Sequence, residues 1–481
     1  MSSRKRILIT GATGYIGSRL LNKLESSGYK ISCLARKPEY LTSRVSEDIK
    51  VLRGDVQDIE SLEKALEGIH TAYYFVHSMG NKDSFEKLDR TGARNFGKAA
   101  AKAGVKRIIY LGGLGDKSKD LSAHLSSRHE TGDILRESGI QVIEFRSSVV
   151  IGAGSLSFEM IRALVEKLPV MTTPKWVYVE TQPILINDLL QYLMESIELE
   201  IEGNKIFEIG SEDIVTYGDL MQMYADQRGL KRYIIPVPVL TPWLSSLWLG
   251  LVTPVYARIG RKIIDSLKYP TVVKDHSVKK YFKIRTKSVS ESIRIALEDE
   301  EKKFHQNDWL QSLSSTNTLK SWGGKKFGSR IVDTNSMEVD IPKEKLFKPI
   351  KNIGGETGWY YCNWLWKIRG YMDIAFGGVG MRRSRSHKSE LKTGDIIDWW
   401  RVEDYRENEL LRLFAEMKLP GRAWLEFKVK EEDGKTLIEQ TAIFDPVGLS
   451  GLLYWYILYP IHALIFSGML KNIVSEAVIT D

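Results

Sequence analysis

The stretch Thr10-Gly11-Ala12-Thr13-Gly14-Tyr15-Ile16-Gly17 constrains this chain more than any other, because of what flanks it. Arg4-Lys5-Arg6 leads into Ile7-Leu8-Ile9, a short apolar run with the character of a buried strand. After the glycines, Ser18-Arg19-Leu20-Leu21-Asn22-Lys23-Leu24 places its apolar residues at helical spacing, and the segment stops at Gly28. The glycines therefore sit at a strand-to-helix turn. There Gly11 permits the tight turn, Gly14 lets a pyrophosphate approach the backbone, and Gly17 lets helix and strand pack closely. With the N–H groups and dipole of a helix start facing the phosphates, Gly11, Ala12, Thr13, Gly14, Tyr15, Ile16 and Gly17 are expected to hold a dinucleotide.

The next segments indicate which dinucleotide. Tyr29 to Ala35 reads as a second strand and ends at Arg36-Lys37. An acid at that place suits the ribose 2′-hydroxyl of NAD, whereas a cation such as Arg36 suits a 2′-phosphate, so NADP(H) is preferred over NAD(H). Val51 to Val56 reads as a third strand, with Asp55 and Val56 placed for the adenine edge. Ala72 to Val76 reads as a fourth, followed by His77-Ser78-Met79-Gly80; Val76 and His77 complete the expected cofactor set. Ile108 to Gly113 reads as a fifth. Apolar helices such as Ala93 to Ala103 lie between, and this alternation means a doubly wound parallel sheet.

Four stretches resemble the atypical short-chain dehydrogenase/reductases, the kind that includes NmrA-like proteins and the accessory Rossmann subunit of respiratory complex I. They are Thr10 to Gly17, Gly54-Asp55-Val56, Gly104-Val105-Lys106-Arg107-Ile108-Ile109-Tyr110-Leu111, and Leu135-Arg136-Glu137-Ser138-Gly139-Ile140. The resemblance implies a Tyr and a Lys four residues later on one helix, with a Ser or Thr on the preceding strand. Counting back from Leu135 places the Tyr position at His124, the Lys position at Arg128 and the Ser position near Gly112-Gly113. All three family residues are replaced. His124 still moves a proton near neutral pH, and Arg128 still grips a ribose or phosphate, so these two are the candidate catalytic residues. His77 and Ser78 are candidates to compensate.

Composition excludes several classes. Two cysteines, Cys33 and Cys362, build neither a disulfide framework nor a metal quartet, so no metal is expected. The net charge of +8 is dispersed except at Arg382-Arg383-Ser384-Arg385-Ser386-His387-Lys388, which leaves no nucleic-acid footprint. The N terminus enters the first strand at once, so a cytoplasmic chain without a signal peptide is expected. Tyr233 to Ala257, broken by four prolines, reads as an apolar flap over a substrate pocket or against a membrane. Pro446 to Leu470 carries no Lys, Arg, Asp or Glu and is long enough to span. Its glycines, Pro460 and His462 favour a buried or surface-docked helix instead, with attachment to the inner membrane face through 446–470 as the alternative.

The Rossmann domain is expected over 1–297, with substrate-side elements at Ser147 to Gly154 and Gln182 to Leu190. A polar linker is expected over 298–336. In 337–481, Val339-Asp340 reads as a strand, Pro342 to Phe347 as a capped helix, and Asp395 to Val402 and Leu410 to Ala415 as strands. Ala423 to Val429 and Thr436 to Phe444 read as a hairpin, with an apolar helix after Pro446 lying on the sheet. That order resembles the helix-grip fold of polyketide-cyclase-like and START-like domains. Ile353 to Tyr360, Gly377 to Arg383 and Ala415 to Trp424 resemble a bacterial domain of unknown function found fused behind such Rossmann units. Its tryptophans read as core in preference to a ligand box.

Three functions compete on the sequence. The first is an NADP(H)-dependent reductase of an apolar, quinone- or isoprenoid-like molecule. The second is a non-catalytic cofactor sensor or assembly factor with a protein partner or a membrane surface. The third is a lipid carrier acting through the C-terminal domain.

Overall fold

A computed structural model describes residues 5–42, 45–77, 85–116, 121–173, 175–236, 266–305, 325–327, 330–355, 357–375, 391–432 and 434–479. They form two compact units, Met1–Lys302 and Lys303–Asp481.

In the first unit the main strands and helices run β1 (Arg6–Thr10), α1 (Tyr15–Glu25), β2 (Lys30–Ala35), β3 (Lys50–Arg53), α2 (Ile59–Leu66) and β4 (Thr71–Tyr74). They continue with α3 (Phe85–Lys102), β5 (Arg107–Gly113), α4 (Ala123–Arg136), β6 (Gln141–Ser147), α5 (Leu156–Lys167), α6 (Ile186–Glu195), β7 (Lys205–Ile209), α7 (Tyr217–Gln227) and α8 (Val289–His305). The seven strands are parallel in the order β7-β6-β5-β4-β1-β2-β3. The order reverses between β1 and β4, and in open sheets of this type a crevice for ligands opens there, at the carboxyl ends of the strands.

Both faces of the sheet are covered, which is why β1 reads as an unbroken apolar run: Ile7 and Ile9 pack with Leu20, Leu24 and Leu189, and Leu8 packs with Leu62, Ala93 and Phe96. Each fully buried side chain of this size contributes about 1.5–3 kcal/mol. The two substrate-side stretches meet, with Ile184 opposite Val150 and Leu185 opposite Ile151 in a short parallel pair. Of the proline-rich flap, Tyr233–Pro236 pairs in parallel with Val170–Thr173, and 237–265 lie outside the described residues.

The second unit is an antiparallel sheet of β8 (Lys325–Phe327), β9 (Arg330–Val339), β10 (Ile396–Ile397), β11 (Trp400–Arg406), β12 (Leu410–Ala415), β13 (Gly421–Glu432) and β14 (Lys435–Pro446). The order is β8-β9-β14-β13-β12-β11-β10. One face carries α9 (Lys343–Lys351), α10 (Asn363–Ala375) and α11 (Gly448–Ile479), packed in a single core with Leu413, Leu425, Phe427 and Ile438. Trp359, Trp366, Trp399, Trp400 and Trp455 belong to that core, and Trp359 stacks on Trp366 at 4.7 Å between ring centres. Alternation along β13 puts Trp424 on the other face, buried, with the Arg330 guanidinium 5.3 Å from its ring.

Three expectations change. Asp395 to Val402 is not one strand: the chain turns between β10 and β11 at Asp398, whose φ of 54° a short polar side chain tolerates. Its carboxylate accepts the Trp359 indole N–H at 2.9 Å, which fixes the turn. β3 ends at Arg53, so Asp55 and Val56 lie in the following loop. The stretch expected as a linker, 298–336, begins with the last turns of α8 and ends in β8 and β9, where Ile331 pairs with Phe444 and is fully buried.

Candidate active site

Gly11 has a φ of 69°, and the Gly14 N–H donates to its carbonyl at 2.9 Å, closing the turn. A Cβ on Gly17 would lie 2.3 Å from the Gly11 oxygen, and one on Gly11 would lie 2.7 Å from the Phe75 oxygen. The turn is thus wedged between its own helix and the segment after β4. Gly14 is the N-cap of α1 and places no side chain over the helix start. Thr13 and Gly14 are exposed, whereas Ala12 and Gly17 are buried. An unroofed helix start with first-turn N–H groups fits a pyrophosphate, so the loop fits the dinucleotide expected from its sequence.

Thr10, to which the sequence assigned no role, ties the loop to β4. Its hydroxyl donates to the Tyr73 carbonyl at 2.9 Å and accepts the Phe75 N–H at 3.1 Å. Tyr15 contributes through its backbone. Its ring lies 4.7 Å from the Arg19 guanidinium, its hydroxyl lies against Gly152, and burial pushes that hydroxyl up to about 12. At the adenosine side Arg36 is exposed just beyond β2, while Arg53 pairs with Glu39 at 3.2 Å. The Asp55 carboxylate accepts the Gln57 N–H at 3.0 Å, and Val56 is buried.

The catalytic positions are less uniform. His77 follows β4 and its Nδ1 is 2.7 Å from the carboxylate of Asp89, a buried residue of α3 that sequence reasoning passed over. The Ser127 hydroxyl donates to the same carboxylate oxygen at 3.3 Å. The His124 ring, in the first turn of α4, lies 5.1 Å from that of His77. Ser122 caps α4 by accepting the Leu125 N–H at 3.2 Å, a cap of about 1 kcal/mol. Its hydroxyl meets that of Ser266 at 2.8 Å, and Ser266 is 3.3 Å from His124 Nδ1. Ser78 lies outside the described residues.

Arg128 is occupied differently. Its guanidinium donates to the Leu111 carbonyl and lies 5.9 Å from the Tyr110 ring, and the Tyr110 hydroxyl donates to the Arg128 carbonyl at 2.9 Å. In this structure Arg128 braces the end of β5. The Ser position is closed: a Cβ on Gly113 would lie 2.7 Å from Leu125, and one on Gly112 would lie 2.9 Å from the Glu144 carboxylate. Glu144 is held by Arg136 and by Arg146, the latter at 2.6 Å, so it is not displaced cheaply. The structure therefore brings His77, Asp89 and His124 together at the strand ends that carry the glycine loop, and it keeps Arg128 on the framework. A groove at the opposite strand ends, lined by Tyr29, Met194, Glu198, Leu199, Tyr281 and Phe282, lies away from these groups.

A doubly wound sheet with a glycine turn at its switch point is the arrangement of a dinucleotide-binding domain. Residues 11–148 match the family described as NAD(P)H-binding, and 327–469 match "Protein of unknown function (DUF2867)". The chain is thus an NAD(P)H-binding domain of the NmrA-like, atypical short-chain dehydrogenase/reductase kind fused to a DUF2867 domain.

It is 24% identical to the ceramide reductase of Caulobacter vibrioides over 244 residues, 49% of this chain and 74% of that one. It is 30% identical to the (4-alkanoyl-5-oxo-2,5-dihydrofuran-3-yl)methyl phosphate reductase of Streptomyces griseus over 171 residues, 34% of this chain and 57% of that one. Among solved structures, triphenylmethane reductase from Citrobacter sp. superposes with a TM-score of 0.50 at 22% identity. That match covers 61% of this chain and 99% of the other, and it shows the fold.

Proposed function

We propose that this chain is a reductase that uses NADP(H) in preference to NAD(H) and acts on an apolar, quinone- or isoprenoid-like molecule. The observation that carries this reading is the His77–Asp89 pair, 2.7 Å apart, at the same sheet edge as the glycine turn. The glycine turn would hold the dinucleotide through its pyrophosphate, and the nicotinamide would supply hydride chemistry when bound. In this reading Asp89 orients the His77 imidazole through Nδ1, and that imidazole exchanges a proton with the substrate. His124, one ring away, is the second proton-handling group of this reading. Exposed Arg36 beyond β2 supports a 2′-phosphate, and the named relatives' reductions, one of them of ceramide, support a reductase with an apolar substrate.

Titration of NADPH and NADH by energy transfer from tryptophan to nicotinamide tests the cofactor half. NADPH is expected to bind more tightly, and Arg36→Ala should remove about tenfold of that preference, the size of one charge-assisted hydrogen bond. Steady NADPH consumption with a panel of quinones and lipid extracts tests the other half. Tight binding without turnover across the panel would move the reading to a non-catalytic sensor. Binding of neither dinucleotide would end it.

A further inference from the structure

Helix α11 has 32 residues and is apolar enough by composition to cross a membrane, yet it is two-faced. Trp455, Tyr459, Phe466, Met469, Leu470 and Ile473 lie in the core of the second unit. On the other side Leu449, Leu453, Ile457, Ile461 and Leu464 are 41–69% exposed, spaced at helical intervals along one stripe. Helix α10 repeats the arrangement. Its Trp366 is buried near Trp399, while Trp364, Ile368, Tyr371 and Met372 are 46–73% exposed.

Both helices pack on the same face of the sheet, so their outer stripes look away from it in the same direction. Tyr361, just before α10, lies against Gly468 of α11, and the Asn472 amide donates to the Tyr360 carbonyl at 2.6 Å. These contacts anchor the segment that leads into α10 against the second half of α11.

We infer that this paired apolar face docks on an anionic lipid surface, with α10 and α11 lying in the interface and neither crossing it. Crossing would require lipid on every side of α11, whereas Trp455, Tyr459, Phe466, Met469, Leu470 and Ile473 are committed to the protein core. The charges select lipid over a second copy of the chain. From Val447 to Leu470 there is no charged residue, and α11 then continues with Lys471, its one acid being Glu476 in its last turn. Helix α10 adds Lys367 and Arg369, and its single acid, Asp373, is buried and accepts the Lys418 N–H at 2.8 Å. Exposed Trp364 and Tyr371 among cations suit the headgroup layer, and each cation near an anionic surface adds about 1 kcal/mol.

Flotation of the full chain tests this, with vesicles of phosphatidylcholine alone and with about a third phosphatidylglycerol. The chain should float with the anionic vesicles, come off at high salt, and lose at least about tenfold in partitioning as Leu453→Glu/Ile457→Glu, since two charges enter the apolar layer. Dinucleotide binding should stay unchanged in that variant, which changes exposed positions only. Trp364→Phe should remove the blue shift of emission on vesicle binding. Three results would overturn the inference: no flotation with either vesicle, resistance of the bound chain to alkaline carbonate, or dimerisation in sedimentation that the same double variant abolishes.

Discussion

His77 and His462 are both largely enclosed, and they are built for opposite purposes. His77 stands just beyond the end of β4, with the Asp89 carboxylate at 2.7 Å and the His124 ring at 5.1 Å. His462 stands on α11 between Trp455 at 5.7 Å and Phe466 at 5.6 Å, with the positive charge of Arg369 nearby. A carboxylate stabilises the cation formed when an imidazole takes a proton. An aromatic wall and a neighbouring cation resist it, and burial first, then Arg369, pushes His462 down to about 4. On the proposed reading, the difference places proton chemistry in the first unit and leaves His462 to packing.

The largest expected effect follows from breaking the first arrangement. Asp89→Asn should lower kcat by about 100-fold while leaving the dinucleotide Kd within about twofold, because general acid–base groups contribute 10²–10⁴-fold. His77→Gln should match it, and the double variant should be no worse than either single one. Additive losses would mean that the two residues do not act as a pair. Next in size is Gly17→Ala, whose Cβ would fall 2.3 Å from the Gly11 oxygen. The turn must then shift, at about 1–3 kcal/mol, so dinucleotide affinity should fall by about tenfold or more at normal thermal stability of the second unit. Unchanged affinity would show that the turn does not carry the pyrophosphate.

The glycine turn was legible because all its determinants are local: an apolar run, three glycines and a periodic helix within twenty residues. Asp89 was not. It lies in Glu86-Lys87-Leu88-Asp89-Arg90, which reads as the polar face of α3, and only the return of β4 beside that helix buries it against His77. Ser266 reaches His124 across 142 positions of sequence, a separation that no spacing rule samples. Arg128 was correctly placed on its helix, but its commitment to the Leu111 carbonyl depends on how α4 leans on β5. In the second unit the hairpin and the long helix followed from alternation and apolar length. The break at Asp398 depended on a tertiary partner, Trp359, and left only one weak local hint: an acid before two tryptophans in a strand-like run.

The smallest effect on turnover, and the sharpest contrast, belongs to His462→Leu. Activity should not change, since the ring packs against Trp455 and Phe466 within the second unit. Stability should change with pH instead. The folded-state value of about 4 lies below the unperturbed 6.5, so as pH falls the unfolded chain takes up this proton first. The stability tied to a neutral His462 is therefore complete above about pH 6.5 and is lost progressively down to about pH 4, on the order of 3 kcal/mol in all. Leucine has no proton to bind. In urea unfolding followed by tryptophan emission, the variant should gain on the wild type steadily as pH drops through that window and stay parallel to it above neutrality. A gap between the two that does not vary with pH would mean that His462 is solvated in the folded chain, and the contrast with His77 would then rest on the carboxylate alone.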